Sequence, residues 1–151
     1  MKATLFLAGV LPLLAAASPF VKRAGGPTAQ PIPKSCTIEN ALTANSGFKP
    51  SPAFVKANQL YVANFEPTGS VAKNTKFCNE QCYGYGNGNG TECVAAFTAY
   101  NVPVPGAGME TTCQLFSSQF TSKSFVATKA GTYTNEAADN RMCPPTYGGT
   151  N

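Results

Sequence analysis

The chain has 151 residues, a formal net charge of +4, six cysteines and no histidine. That length fits one domain, and the missing histidine excludes a Ser–His triad or a histidine base. Lys2, Lys22 and Arg23 all lie near the start, so the chain after Arg23 carries 8 basic against 7 acidic residues, net +1. The remaining basic residues are scattered, which excludes the clustered positive surface that phosphate contacts require, so no nucleic-acid partner is expected.

Residues 1–17 have the build of a secretory signal peptide: Lys2, an apolar run and the small residues Ala15, Ala16 and Ala17. Cleavage is expected after Ala17. The run falls short of the about 20 residues that a comfortable membrane span needs. No other stretch is long and apolar enough, so no membrane span is expected. Residues 18–23 then form a short propeptide ending in the pair Lys22-Arg23, which resembles the site of kexin-type proteases in the fungal secretory pathway. Processing there starts the mature chain at Ala24.

Residues 24–35, "AGGPTAQPIPKS", are rich in glycine and proline and read as a flexible leader. Cys36 opens the domain, expected over residues 36–143. Residues 37–57 are mixed and punctuated by Pro50 and Pro52. "NQLYVANFE" (58–66) is rich in β-formers and predicts a strand. Thr68 or Ser70 then supplies a helix cap, and Val71, Thr75, Cys78 and Cys82 fall on one helical face, with Gly84 as a stop. A glycine-rich run follows. "TECVAAFTAYNV" (91–102) predicts a strand, 102–110 a loop, 111–120 a further strand. Residues 124–134 predict one or two short strands turning at Ala130-Gly131. Cys143 closes the domain, and 144–151 form a tail. One helix among several short strands makes the chain α+β.

All six cysteines follow the signal segment, and in an oxidising compartment an even number reads as three disulfides, with fifteen possible pairings from spacing alone. Cys78-x-x-x-Cys82 is not the C-x-x-C of a thioredoxin site. Cys93 and Cys113 do not form the second tight pair that zinc favours. "GYGNGNG" leaves a helix and enters a strand, the reverse of a phosphate loop. No metal and no cofactor is expected. Cys78 and Cys82 project side by side from one helix face, so they are expected to bond to strands rather than to each other. Cys82 would take the nearer strand at Cys93 and Cys78 the next one at Cys113, leaving Cys36 with Cys143.

The run "FCNEQCYGYGNGNGTECVAAFTAY…CQLF" resembles the PAN/Apple family, in which a C-x-x-x-C helix is bonded to a strand beginning C-x-x-x-F and to a later strand beginning C-x-hydrophobic. Cys78, Cys82, Cys93, Phe97, Cys113 and Leu115 stand at those places, and Cys36 and Cys143 match the family's outer pair. The long segment from Cys36 to Cys78 and the glycine-rich insert before Cys93 depart from the pattern, as in a small secreted fungal-type variant. The resemblance implies a curved antiparallel sheet cradling one α-helix. It also implies a binding module for a protein or a carbohydrate rather than an enzyme.

Several residues are candidates for function. Asn89-Gly90-Thr91 is an N-glycan acceptor, expected on a surface loop. Tyr83, Tyr85 and Asn87 have the groups to stack on and hydrogen-bond a sugar; the plainer reading has them packed under the loop. Glu136 and Asp139 are the candidate pair for a carboxylate-dependent hydrolase, the plainer reading being a solvated turn. Three functions are therefore weighed: a secreted non-catalytic binding module at a cell wall or host surface, a small hydrolase, and a structural wall protein without a discrete ligand.

Overall fold

Both helices begin where a serine precedes the first helical residue. Ser51 caps α1 (Pro52–Asn58): its hydroxyl accepts from the Phe54 N–H at 3.2 Å, and proline at the first position forfeits no helical hydrogen bond. Ser70 caps α2 (Val71–Tyr83) by accepting from the Lys73 N–H at 3.3 Å. The helix stops at Gly84, whose N–H returns to the Glu80 carbonyl at 3.0 Å. These elements come from a computed structural model that describes residues 26–42, 47–66, 70–86, 92–129 and 132–144. The signal and dibasic segments, including Ala17, Lys22 and Arg23, lie outside the described residues. So do Asn87, the Asn89 sequon, the Ala130-Gly131 turn and residues 145–151.

The fold is α+β, with a five-stranded antiparallel sheet and three disulfides. Its strands run in the order β1 (Thr37–Leu42), β7 (Thr134–Met142), β4 (Ala95–Val104), β5 (Gly108–Phe116) and β3 (Gln59–Phe65). A separate ribbon pairs β2 (Phe48–Pro50) with β6 (Phe125–Ala127). Two bulges bend the sheet at one level. Asn101 on β4 and Asn135 on β7 both take positive φ, 54° and 51°, and the Asn101 amide donates to Thr134 Oγ1 at 3.1 Å. Asparagine is among the residues best suited to that left-handed conformation.

The structure departs from the sequence expectation in three places. Residues 37–57 hold two strands and a helix, so two helices form among the described residues rather than one. Residues 102–110 form a hairpin rather than a loop: Pro103 pairs with Met109 and Val104 with Gly108. That far out, β4 has lost β7 as a neighbour, so the absent proline N–H forfeits no ladder bond. The third departure is β7, a polar stretch that occupies the second position of the sheet.

Each face of the sheet buries a different kind of core. On one, α2 lies over Cys78, Cys82, Cys93, Ala96, Cys113 and Leu115, with Leu60, Tyr61, Phe65 and Tyr85 around them. On the other, Ala95, Phe97, Ala99, Phe116, Phe120 and Ala138 are buried beneath α1, Phe125 and Tyr133. The rings of Phe54, Phe116, Phe120 and Phe125 follow one another at centroid distances of 5.1–5.3 Å.

Residues 26–30, read as leader, lie along the end of α2. The Gln30 N–H donates to the Glu80 carbonyl at 3.0 Å, and the Gln81 side-chain amide donates to the Pro27 carbonyl at 3.4 Å. The Thr28 carbonyl stands where a side chain on Gly84 would go, and Gly26 lies against the Tyr61 hydroxyl.

Candidate functional site

The cysteines sort as expected. Cys78 bonds Cys113 across 35 residues, Cys82 bonds Cys93 across 11, and Cys36 bonds Cys143 across 107. No described cysteine is free. The Cys78–Cys113 and Cys82–Cys93 Cα pairs stand 5.7 and 5.2 Å apart, within the ordinary span of a disulfide. This geometry follows from the i, i+4 spacing on α2, which aims both sulfurs at the sheet, and from β4 and β5 lying beneath it.

The rest of the inner face of α2 is polar. Asn74, Asn79 and Gln81 are buried there alongside Cys78 and Cys82. Asn79 Nδ2 donates to Asp139 Oδ2 on β7 at 2.6 Å. Burial pushes the Asp139 carboxyl above the ordinary carboxylate value, and the Asn79 bond acts against that rise. Two residues along β7, Arg141 lies buried among sulfur and aromatic groups. Its Nη1 donates to Cys143 Sγ at 3.1 Å, and its guanidinium sits 5.2 Å from the Tyr83 ring centroid. Burial draws Arg141 below its ordinary value, with Tyr83 acting in the opposite direction. One arginine thus connects β7, the end of α2 and the disulfide that ties the domain's ends.

Tyr83 and Tyr85 are half-buried. Tyr83 is engaged with Arg141, and the Tyr85 hydroxyl donates to the Leu60 carbonyl at 3.5 Å while its ring packs on the sulfur cluster. The two rings therefore serve the fold at the mouth of the glycine-rich run.

Glu136 and Asp139 do not come together. They are three apart on β7, and successive strand residues alternate faces. Asp139 meets α2 on the sulfur face, whereas Glu136 shares its side with Ala138, in the aromatic cluster. The expectation of a carboxylate pair is therefore corrected, and so is the solvated turn: Glu136 is 1% exposed and Asp139 7%. Neither carboxylate oxygen of Glu136 has a hydrogen-bond partner among the described residues. Among those residues no cluster of three or more His, Cys, Asp or Glu side chains could hold a metal ion. No helix in them is long and apolar enough to cross a membrane.

The chain matches no family model, no curated protein and no solved structure. The geometry alone carries the functional reading. Sequence reasoning missed Arg141, Asn79 and the contacts of residues 26–30. None had a local signal, since each depends on at least one partner about 50 or more residues away.

Proposed function

We propose that the protein is a secreted, non-catalytic, PAN/Apple-like module that binds a protein or a carbohydrate at a cell wall or a host surface. The observation that supports this reading is the core between α2 and the sheet. It is built from two fully buried disulfides, and a third joins the domain's ends. Such a core needs an oxidising compartment to form and persist. The nested pairing and the helix lying on an antiparallel sheet agree with the family pattern in the sequence. The separation of Glu136 from Asp139 removes the residue pair on which the hydrolase reading rested.

The test is an array of wall and host-surface glycans, together with purified surface proteins, probed with oxidised protein. Saturable binding to one class, lost on reduction, is expected. Uniformly blank results with folded, oxidised protein would overturn the binding reading in favour of a structural role. N-terminal sequencing of the secreted product should begin at Ala24.

A further inference from the structure

The strap formed by residues 26–30 is seated as a peptide ligand is seated. It touches two elements that are remote in sequence: β3 through Tyr61, and the last turn of α2 through Glu80, Gln81 and Gly84. Nearly every contact reads its main chain. The Gln81 amide reads the Pro27 carbonyl, Gly84 leaves room for the Thr28 carbonyl, and the Glu80 carbonyl takes the Gln30 N–H. The Tyr61 hydroxyl leaves no room for a side chain at position 26. Proline at position 27 suits this arrangement, because it fixes an extended backbone and no contact asks for its N–H. Gly84 has an ordinary φ of −80°, so its lack of a side chain serves the close approach and not the backbone turn.

We infer that the groove between Tyr61 and the end of α2 is a binding site for extended Gly–Pro–x–x–x segments, filled in this chain by its own residues 26–30. The inference rests on the binding-module reading and assigns that module a site and a ligand class. The occupant is an extended protein segment with a glycine before proline. It is recognised through one accepting carbonyl and one N–H at fixed spacing, with room at Gly84 for the carbonyl between them. Because the strap is tethered a few residues from Cys36, its effective concentration is on the order of millimolar. An outside peptide therefore meets a closed site until the strap lifts.

The test uses the full oxidised chain and a synthetic peptide spanning residues 24–34. In the double variant Gly26→Val, Gln30→Pro, the strap loses its fit against Tyr61 and its donor to Glu80, while every groove residue stays in place. Peptide binding by fluorescence anisotropy is expected at least about 10-fold tighter to this variant than to the wild type. Adding Gly84→Ala should abolish it. Nuclear Overhauser contacts between Pro27 and the Gln81 side chain report whether the strap has lifted. A lifted strap without peptide binding would overturn the inference. So would equal binding to variant and wild type, or a strap that keeps those contacts despite both substitutions. A failed glycan or protein screen bears on the wider reading and leaves these outcomes unchanged.

Discussion

The two faces of the sheet are held down by different chemistry. On the α2 face the buried groups are four half-cystines, one alanine and one leucine, with Asn74, Asn79 and Gln81 on the inner side of the helix. On the α1 face the cover is a row of phenylalanines with no sulfur among them. A helix with so polar an inner face gains little from burial and relies on its covalent attachments. The aromatic face gains from area and ring packing, about 0.5–1.5 kcal/mol per ring pair beyond burial. One sheet thus joins a half held by disulfides to a half held by aromatic packing.

The largest expected effect comes from breaking the sulfur half. For loops of 107, 35 and 11 residues, chain-entropy estimates are about 4.8, 3.8 and 2.8 kcal/mol. Together these rival the about 5–15 kcal/mol that a domain has in total. Full reduction should abolish the cooperative thermal transition, followed by near-ultraviolet circular dichroism. A reduced chain whose β4 and β5 amides stay protected would show that the aromatic half stands alone.

Next is the aromatic half with its disulfides intact. Phe116 is fully buried, with Phe54 and Phe120 at 5.3 and 5.1 Å. Phe116→Ala should cost about 3–5 kcal/mol in urea unfolding, the disulfides remaining closed. A loss under about 1 kcal/mol would mean that sulfur carries both faces. Glu136 gives a smaller effect of opposite sign. A buried carboxyl with both oxygens unpartnered among the described residues loses about 1–3 kcal/mol of desolvation, so Glu136→Leu should raise the urea midpoint accordingly. A fall in midpoint would show that the carboxyl has a role in the aromatic half.

The same contrast explains what the sequence discloses. The sulfur half is legible because its determinants are local: a serine cap at Ser70, cysteines one turn apart and a glycine stop at Gly84. The aromatic half hides α1, whose seven residues are too few to show a helical period. Hidden too is β7, which serves both faces and where Asn135, Glu136, Asp139, Asn140 and Arg141 read as a turn. Asn140 fits a buried strand because its side-chain amide donates to the Phe120 carbonyl at 2.9 Å and its oxygen accepts the Phe120 N–H at 2.7 Å. Asp139 fits because Asn79 lies over it. Polar residues can occupy a buried strand when partners from elsewhere satisfy them, and those partners are invisible to a local pattern. The strap is hidden differently: its glycine and proline content is read correctly, but its contacts are made by main-chain atoms that composition does not encode.

Asp139 offers the smallest effect and the one that couples the polar side of the sulfur half to pH. Burial raises its carboxyl in the folded state above the ordinary value of 3.8. Between those two values the folded chain holds a proton that the unfolded chain has released. Stability therefore falls as pH rises through this window, and the contribution is flat above it. Asp139→Asn keeps an oxygen to accept from Asn79 and removes the titration. The variant's urea midpoint, relative to wild type, should climb as pH rises out of the acid range and then level off. A window one pH unit wide corresponds to about 1.4 kcal/mol. A difference that stays constant over the whole series would mean that the Asn79 bond fully offsets burial. The polar contact under α2 would then hold the helix alongside the disulfides, and the contrast between the two faces would narrow.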